Sequence, residues 1–327
     1  MDNSQPLRRY TFVTIGFEED GGLLHLQARS MRLYCPLELI DEIIVVDNSQ
    51  HVQSKWLAGL LEQYGKLASR VRVIRAHEIV DIPADTHGWF SQQIIKIKVA
   101  DVVHSDRYVI LDAKNHLISH LDREFLETPA GKPRTNGYSY IGHPMQRFLE
   151  QTAEYLGIDY EESAKWFTRT TTPFTVVTNE ARELVGYIET REGRSFSSAF
   201  LERGLCEFFL YSGYLVAKGV LRETYDLTQP YEPQIWPEKT SAAECAQAIR
   251  KAIESNCHFM AVHRKALANM DIEAQRVMSR FWHGRGLFAS VGNGVRFCRD
   301  PQRSRQNCDG RVVSWPISHI VSFFGFR

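Results

Sequence analysis

GWFSQQIIKIKVADVVHSDRYVILDAKNHLI, residues 88–118, decides the fold. From Trp89 to His104 the apolar residues Ile94, Ile95, Ile97, Val99, Val102 and Val103 recur at helical spacing, which predicts a largely buried helix. Tyr108-Val109-Ile110-Leu111 is then a continuous apolar run, as a strand covered on both faces requires. The chain switches at once to Asp112, Lys114, Asn115 and His116. In an open α/β sheet, ligands sit in the crevice at the carboxyl ends of the strands, so this polar exit is the first place to look for chemistry.

The flanking sequence repeats the pattern. Tyr10–Phe17 reads as a first strand, Leu23–Tyr34 as a helix ended by Pro36, and Glu42–Val46 as a second buried strand leading to Asp47. A helix over Lys55–Tyr64 with Gly65 as its stop and a strand over Val71–Ala76 follow. Such alternation with short connections predicts a mostly parallel central sheet. Farther on, helices are expected over His143–Leu156 before Gly157, over Glu180–Ile188 with Asn179 as cap, and over Ser198–Tyr211; Phe174–Thr178 reads as a strand. Ser241-Ala-Ala-Glu244 is a capping box opening a helix toward Asn256, and Leu267, Met270, Ala274, Val277 and Phe281 mark one face of another. The expectation is a single α/β domain over 1–240, carrying a helical C-terminal extension and a basic, aromatic tail over 241–327 that packs on the same domain.

Composition narrows the function. The 327 residues hold 39 basic and 39 acidic side chains, so no broad nucleic-acid surface is suggested. No apolar run approaches the roughly 20 residues of a membrane span, and the first residues lack an apolar signal core, so the expectation is a cytoplasmic chain. Cys35, Cys206, Cys245, Cys257, Cys298 and Cys308 are scattered without a CxxC pair, as reduced thiols are. There is no GxGxxG after the first strand, no Walker loop and no GxSxG, which disfavours Rossmann dehydrogenases and methyltransferases, P-loop NTPases and α/β-hydrolases.

With VVDNS at 45–49, WFSQQIIKIKVAD leading into YVILDAKNH, and CEFFLYSGYL at 206–215, the chain resembles the GT-A class of nucleotide-sugar-dependent glycosyltransferases, and within it a poorly characterised bacterial group. The resemblance covers roughly residues 10–265 and implies a GT-A-like, Rossmann-like fold. It implies an enzyme that moves a sugar from a nucleotide-sugar donor to a saccharide or glycolipid acceptor in bacterial surface polysaccharide or lipopolysaccharide assembly. By the same resemblance Asp47 contacts the nucleotide, Asp112 is the first acid of the DxD position, Glu207 is a later acid on the acceptor side, and Lys96 reaches the donor. A carboxylate at Glu207 suits a general base, since direct displacement at an anomeric carbon releases a hydroxyl proton.

One departure stands out. Where DxD has its second carboxylate this chain has Lys114, within Asp112-Ala113-Lys114-Asn115-His116. An ammonium there repels a divalent cation and removes a hard oxygen ligand. Three arrangements remain: Lys114, with Asn115 and His116 nearby, replaces the metal as the charge on the leaving phosphate; manganese or magnesium is held by Asp112 with His263; or the chain is a catalytically inactive nucleotide-sugar-binding or scaffold protein of the same fold. The first is the favoured expectation. Gly284, Gly286, Gly292 and Gly294 suggest a mobile passage that brings Arg285 over the donor phosphates, and the basic stretch from Arg296 with Ile317–Phe326 suggests peripheral contact with the inner face of a membrane.

Overall fold

A computed structural model describes residues 8–49, 55–57 and 59–303. The strands, in chain order, are β1 Tyr10–Gly16, β2 Ile40–Asp47, β3 Val71–Arg75, β4 Arg107–Asp112, β5 Asn115–Leu117, β6 Gly137–Tyr138, β7 Phe167–Thr168, β8 Phe174–Val177, β9 Gln234–Ile235 and β10 Phe259–Val262. Five form the main sheet in the order β3-β2-β1-β4-β8. All its neighbours are parallel except the edge strand β8, which runs antiparallel to β4. The fold is α/β with a mostly parallel central sheet, flanking helices and a helical C-terminal part, as expected.

Both faces of β4 are covered. Val109 and Leu111 belong to one apolar cluster with Phe12, Val45 and Leu23, whereas Tyr108 and Ile110 join Val13, Ile94, Ile95 and Val176 in a second. The helix Gly88–Lys98 supplies the second layer, and each fully buried isoleucine there contributes about 2 kcal/mol. This helix is shorter than the periodicity to His104 predicts. Its last turn gives way to a 3-10 turn at Val99–Asp101, because Tyr108 Oη donates to the Lys96 carbonyl (2.9 Å) and Arg182 donates to Ala100 O and Val103 O (2.9 and 2.7 Å). Side chains take the carbonyls that another helical turn would use.

Other boundaries move for local reasons. The expected helix Ser198–Tyr211 is two, Phe196–Glu202 and Glu207–Ala217, broken where Gly204 takes φ +60°. Asn179 does not cap its helix, which starts one residue earlier at Thr178 and has Val177 in the cap position. Leu267 and Met270 do not share a helix with Phe281, since Asp271 accepts from Ala274 N (2.8 Å) and caps a new helix, Ile272–Gly284.

A second sheet, β5-β10-β9, has no counterpart in the expectation. It carries the chain from the exit of β4 into the C-terminal part: β5 pairs antiparallel with β10, and β10 parallel with β9. The C-terminal helices share its core, with Met278, Trp282 and Leu287 in the same apolar cluster as Tyr10 and Leu111. Gly292 and Gly294 lie inside the helix Val291–Arg303 rather than in a mobile passage. A Cβ on Gly294 would stand 2.7 Å from Ser279 Cβ, so the glycine lets the helices Ile272–Gly284 and Val291–Arg303 pack closely. The tail Ile317–Phe326 and Cys308 lie outside the described residues; Cys35, Cys206, Cys245, Cys257 and Cys298 are free and buried. Among the described residues no helix is long and apolar enough to cross a membrane.

Candidate active site

The polar exit of β4 is a tightly bonded turn. Asp112 N donates to Asn115 Oδ1 (2.8 Å), and Gln27, on the helix Gly21–Tyr34, donates from Nε2 to both Asp112 O (2.8 Å) and Asn115 O (3.0 Å). Gln27 Oε1 in turn accepts from Thr14 Oγ1 on β1 (2.8 Å). Asn115 is locked from the other side by Thr172, whose Oγ1 donates to Asn115 Oδ1 (2.6 Å) and whose carbonyl accepts from Nδ2 (3.2 Å). The backbone of the turn that presents Asp112 is therefore held by groups from β1, from the helix Gly21–Tyr34 and from Thr172.

Two ammonium groups meet that carboxylate. Lys96 Nζ lies 2.8 Å from Asp112 Oδ1 and Lys114 Nζ 2.7 Å from Oδ2. Lys96 also reaches Glu207 Oε1 at 3.0 Å, across from the first turn of the helix Glu207–Ala217. Burial opposes the charges on both Asp112 and Lys96, yet the lysines hold the Asp112 carboxyl well below the usual range, and Asp112 and Glu207 hold the Lys96 ammonium above its own. The side chain of Asp112 keeps 21% of its surface exposed and Lys114 16%, against 5% for Lys96 and 7% for Glu207. Lys114 is thus the more exposed of the two cations at the strand exit, with Lys96 the buried one.

Lys114 Nζ also lies 5.1 Å over the Trp236 ring, which stacks on His263 at 5.8 Å. His263 Nδ1 accepts from Lys265 N (3.1 Å) and caps the short helix Arg264–Asn269; burial, then Lys114, pushes its pKa down to about 4, so it is neutral. Arg264 points back across the crevice, with Nη1 3.5 Å from Glu19 and 3.7 Å from Asp20. Those separations are long, and Arg264 Nη1 is a buried donor without a hydrogen bond. Burial raises the Asp20 pKa against the pull of Arg264.

The sequence-derived site residues separate into groups. Lys96, Asp112, Lys114 and Glu207 come together in one bonded chain, with His263 reaching it through Trp236. Asn115 builds the turn with every side-chain bond described above directed inward. His116 is buried beneath it, its Nε2 accepting from Trp282 Nε1 (3.0 Å), and burial lowers its pKa to about 4; its ring packs in the core rather than at the crevice. Asp47 has no exposed side-chain surface and holds Arg75 Nη1 at 2.8 Å while accepting from Ser49 N at 3.0 Å. Arg285 lies away from the exit: its carbonyl accepts from Tyr34 Oη, at the far end of the 14-residue helix that follows β1. A closing loop that carries Arg285 onto donor phosphates does not fit this placement. Gln27, Thr172, Trp236, Asp20 and Arg264 were not singled out from sequence as site residues; only Arg264 had a local signal, its place beside His263.

As a metal site the exit fits poorly. Both oxygens of Asp112 contact ammonium groups, and no group of three or more His, Cys, Asp or Glu side chains suited to an ion occurs among the described residues. A dication would have to displace two lysines.

The sequence matches the model of DUF6492, a family of unknown function, over residues 17–281. The chain belongs to that family. A search of curated proteins finds no match to this DUF6492 chain. Solved structures similar to it include the bifunctional glycosyltransferase WbbM in its apo form, at 10% identity and TM-score 0.45 over 80% of this chain. The DUF6492 chain spans 46% of that protein's length. An active-site mutant of LgtC is similar at 10% identity and TM-score 0.47, over 84% of this chain and 99% of the other. Glucosyl-3-phosphoglycerate synthase from Mycobacterium tuberculosis, solved with Mn2+, UDP and glucosyl-3-phosphoglycerate, is similar at 16% identity and TM-score 0.34, over 54% of this chain and 58% of the other.

Proposed function

We propose that the chain is a glycosyltransferase that moves a sugar from a nucleotide-sugar donor to a saccharide or glycolipid acceptor, with Lys114 in place of a metal ion. The observation that carries this reading is the Asp112 carboxylate held between Lys96 and Lys114 at the carboxyl end of the central strand. In the proposed reaction the bond from the sugar's anomeric carbon to the diphosphate breaks with its electrons on the phosphate, and an acceptor hydroxyl forms the new bond while its proton passes to the departing phosphate or to Glu207, two routes separated below. The departing phosphate needs fixed positive charge in a site where water is scarce. Lys114 supplies it at the crevice, Asp112 aims Lys114, and Lys96 keeps Asp112 ionised. Arg264, with Nη1 short of a hydrogen bond, is a second cation for the same phosphate.

Glu207 has two roles to separate. Its Oε1 holds Lys96 and its surface is largely buried, which favours anchoring that lysine over taking the acceptor's proton. Anchoring predicts that Glu207→Gln lowers stability and reduces turnover about tenfold, whereas a general base predicts a loss of about 100-fold or more at unchanged stability. Asp47 acts in this scheme through Arg75, which stands at the exit of the neighbouring strand. Cytoplasmic surface-polysaccharide or lipopolysaccharide assembly is the proposed setting.

The test is a thermal-shift panel of UDP-, GDP-, dTDP-, ADP- and CMP-sugars with and without manganese, followed by donor hydrolysis and transfer. Stabilisation by one nucleotide sugar without manganese, and turnover that resists chelator, are expected. Turnover strictly dependent on added metal would sink the role given to Lys114. Binding without turnover would assign the chain to the nucleotide-sugar-binding proteins of the same fold.

A further inference from the structure

Beside the lysine turn lies a second polar region that the scheme above leaves idle. Arg169 is buried, its guanidinium donating to Gln229 Oε1 (2.7 Å) and to Pro173 O, while its Nε has no hydrogen-bond partner. No carboxylate pairs with it within ion-pair distance among the described residues. The charge that acts on it most strongly is Glu232, also buried, whose Oε2 accepts from Phe259 N (2.9 Å) and whose Oε1, near His258 N and Cys257, makes no hydrogen bond of normal geometry. Asn136 Oδ1, Thr171 Oγ1 and Gln234 Oε1 are buried and unpartnered as well. The Asn136 amide is oriented by its own Nδ2, which donates to Gln229 O (2.9 Å), so Oδ1 is an acceptor by construction.

Asn136, Arg169 and Glu232 belong to one neighbourhood, and Thr171 and Gln234 each stand two residues along the chain from a member of it. Arg169 N donates to Asn136 O (2.9 Å), linking the β6–β7 pair to Arg169, and the Arg169 charge interacts with Glu232, Tyr138 and Tyr231. Two short segments join it to the lysine turn. Arg169 is three residues from Thr172, which grips Asn115, and Glu232 is four residues from Trp236, which covers Lys114, spans of no more than about 10–14 Å. Tyr138 is half-buried and Tyr231 exposed, so aromatic rings border the region on its open side.

A buried polar atom left without a partner costs about 1–3 kcal/mol, so a cluster of them calls for a bound water, ion or ligand. The kind of atom tells which ligand. Asn136, Glu232 and Gln234 present acceptor oxygens, Thr171 a hydroxyl that both donates and accepts, and Arg169 Nε a donor. An anion offers acceptors only and would leave the Asn136, Glu232 and Gln234 oxygens unmet. A polyol offers hydroxyls that donate to those oxygens and accept from the guanidinium, and a pyranose ring also presents an apolar face to tyrosine.

We propose that Asn136, Arg169, Thr171, Glu232 and Gln234 form a binding site for a neutral saccharide, whose far end reaches toward Lys114. The proposal rests on the glycosyltransferase reading for its purpose, as the seat of the acceptor, but the binding site is tested without any turnover. Purified full-length protein is applied to an array of neutral and acidic oligosaccharides, and affinities of the hits are measured by calorimetry for wild type, Gln234→Ala, Thr171→Val and Arg169→Lys. Gln234 and Thr171 are partly exposed, so those two variants keep the test valid where the Arg169 variant does not fold. Neutral glycans are expected to bind, with affinity falling at least fivefold in Gln234→Ala and Thr171→Val while stabilisation by the nucleotide sugar stays unchanged. No bound glycan, binding of acidic glycans only, or unaltered affinity in both variants would overturn the site. Saccharide binding without sugar transfer leaves this site standing and removes the enzyme; transfer with undisturbed kinetics in both variants does the reverse.

Discussion

The two polar regions on either side of Thr172 are built on opposite terms. At the exit of β4 the carboxylate of Asp112 and the amides of Gln27 and Asn115 are matched to partners, and the charges alternate: Glu207, Lys96, Asp112, Lys114. A few residues away Arg169 and Glu232 are buried with bonds missing. The first region is preorganised, with its geometry fixed before anything binds. The second is a set of open valences. A site for charge developing during reaction needs the former, because reorganising charge at the moment of bond breaking is costly; a site that recognises hydroxyl groups needs the latter.

Breaking the alternation is the strongest test. Lys96→Met leaves the buried Glu207 carboxylate without its cation and Asp112 with Lys114 alone, and a loss of about 3–5 kcal/mol in unfolding free energy is expected by denaturant titration; a loss under about 1 kcal/mol would show that the chain of charges is not structural. Lys114→Ala removes only the outer, partly exposed end. Turnover is expected to fall about 100-fold or more with little change in melting temperature, and chelator is expected to leave wild-type activity intact. Asp47→Asn sharpens the contrast from a neighbouring strand: its carboxylate is sealed against Arg75, so stability is expected to drop about 2 kcal/mol while turnover at saturating donor changes less than the Lys114 variant's.

The last effect, confined to a pH window, belongs to the open region. Burial pushes the Glu232 pKa up to about 7, above its unfolded value, so the folded state binds the proton more tightly. Its contribution to stability is full below the unfolded carboxyl pKa and is lost as pH rises through about 7. Chemical denaturation is expected to show a decline of about 2 kcal/mol between about pH 5 and pH 8 that Glu232→Gln abolishes. A wild-type profile unchanged by the substitution would remove Glu232 from this account.

The legibility of these regions in the sequence differs in the same way. β4 and the acid that follows it could be read from local pattern, because a strand buried on both faces is continuous apolar sequence and its exit is abrupt. The helix Gly88–Lys98 was equally plain, yet nothing local says that Lys96 points inward: its two partners lie 16 and 111 residues farther along, and only the fold brings them to one nitrogen. The second sheet escaped notice because β5, β9 and β10 are two to four residues long, too short for a period to show. That sheet brings Trp236, His263 and Arg264 to Lys114, and β9 holds Gln234 in the proposed saccharide site. The missed parts of both regions thus trace largely to one set of short strands. Glycine spacing is ambiguous for a related reason: it resembles a mobile loop, whereas Gly294 lets two helices touch.

The stacking of Trp236 between Lys114 and His263 gives the molecule a built-in optical sensor. Indole emission responds to a charge held against the ring, and here that charge is the more exposed ammonium of the strand exit. Whatever draws Lys114 off the ring changes the light that Trp236 emits, so occupancy at the strand exit can be followed in unlabelled protein, with Trp236→Phe as the blank that isolates this signal from the other five indoles.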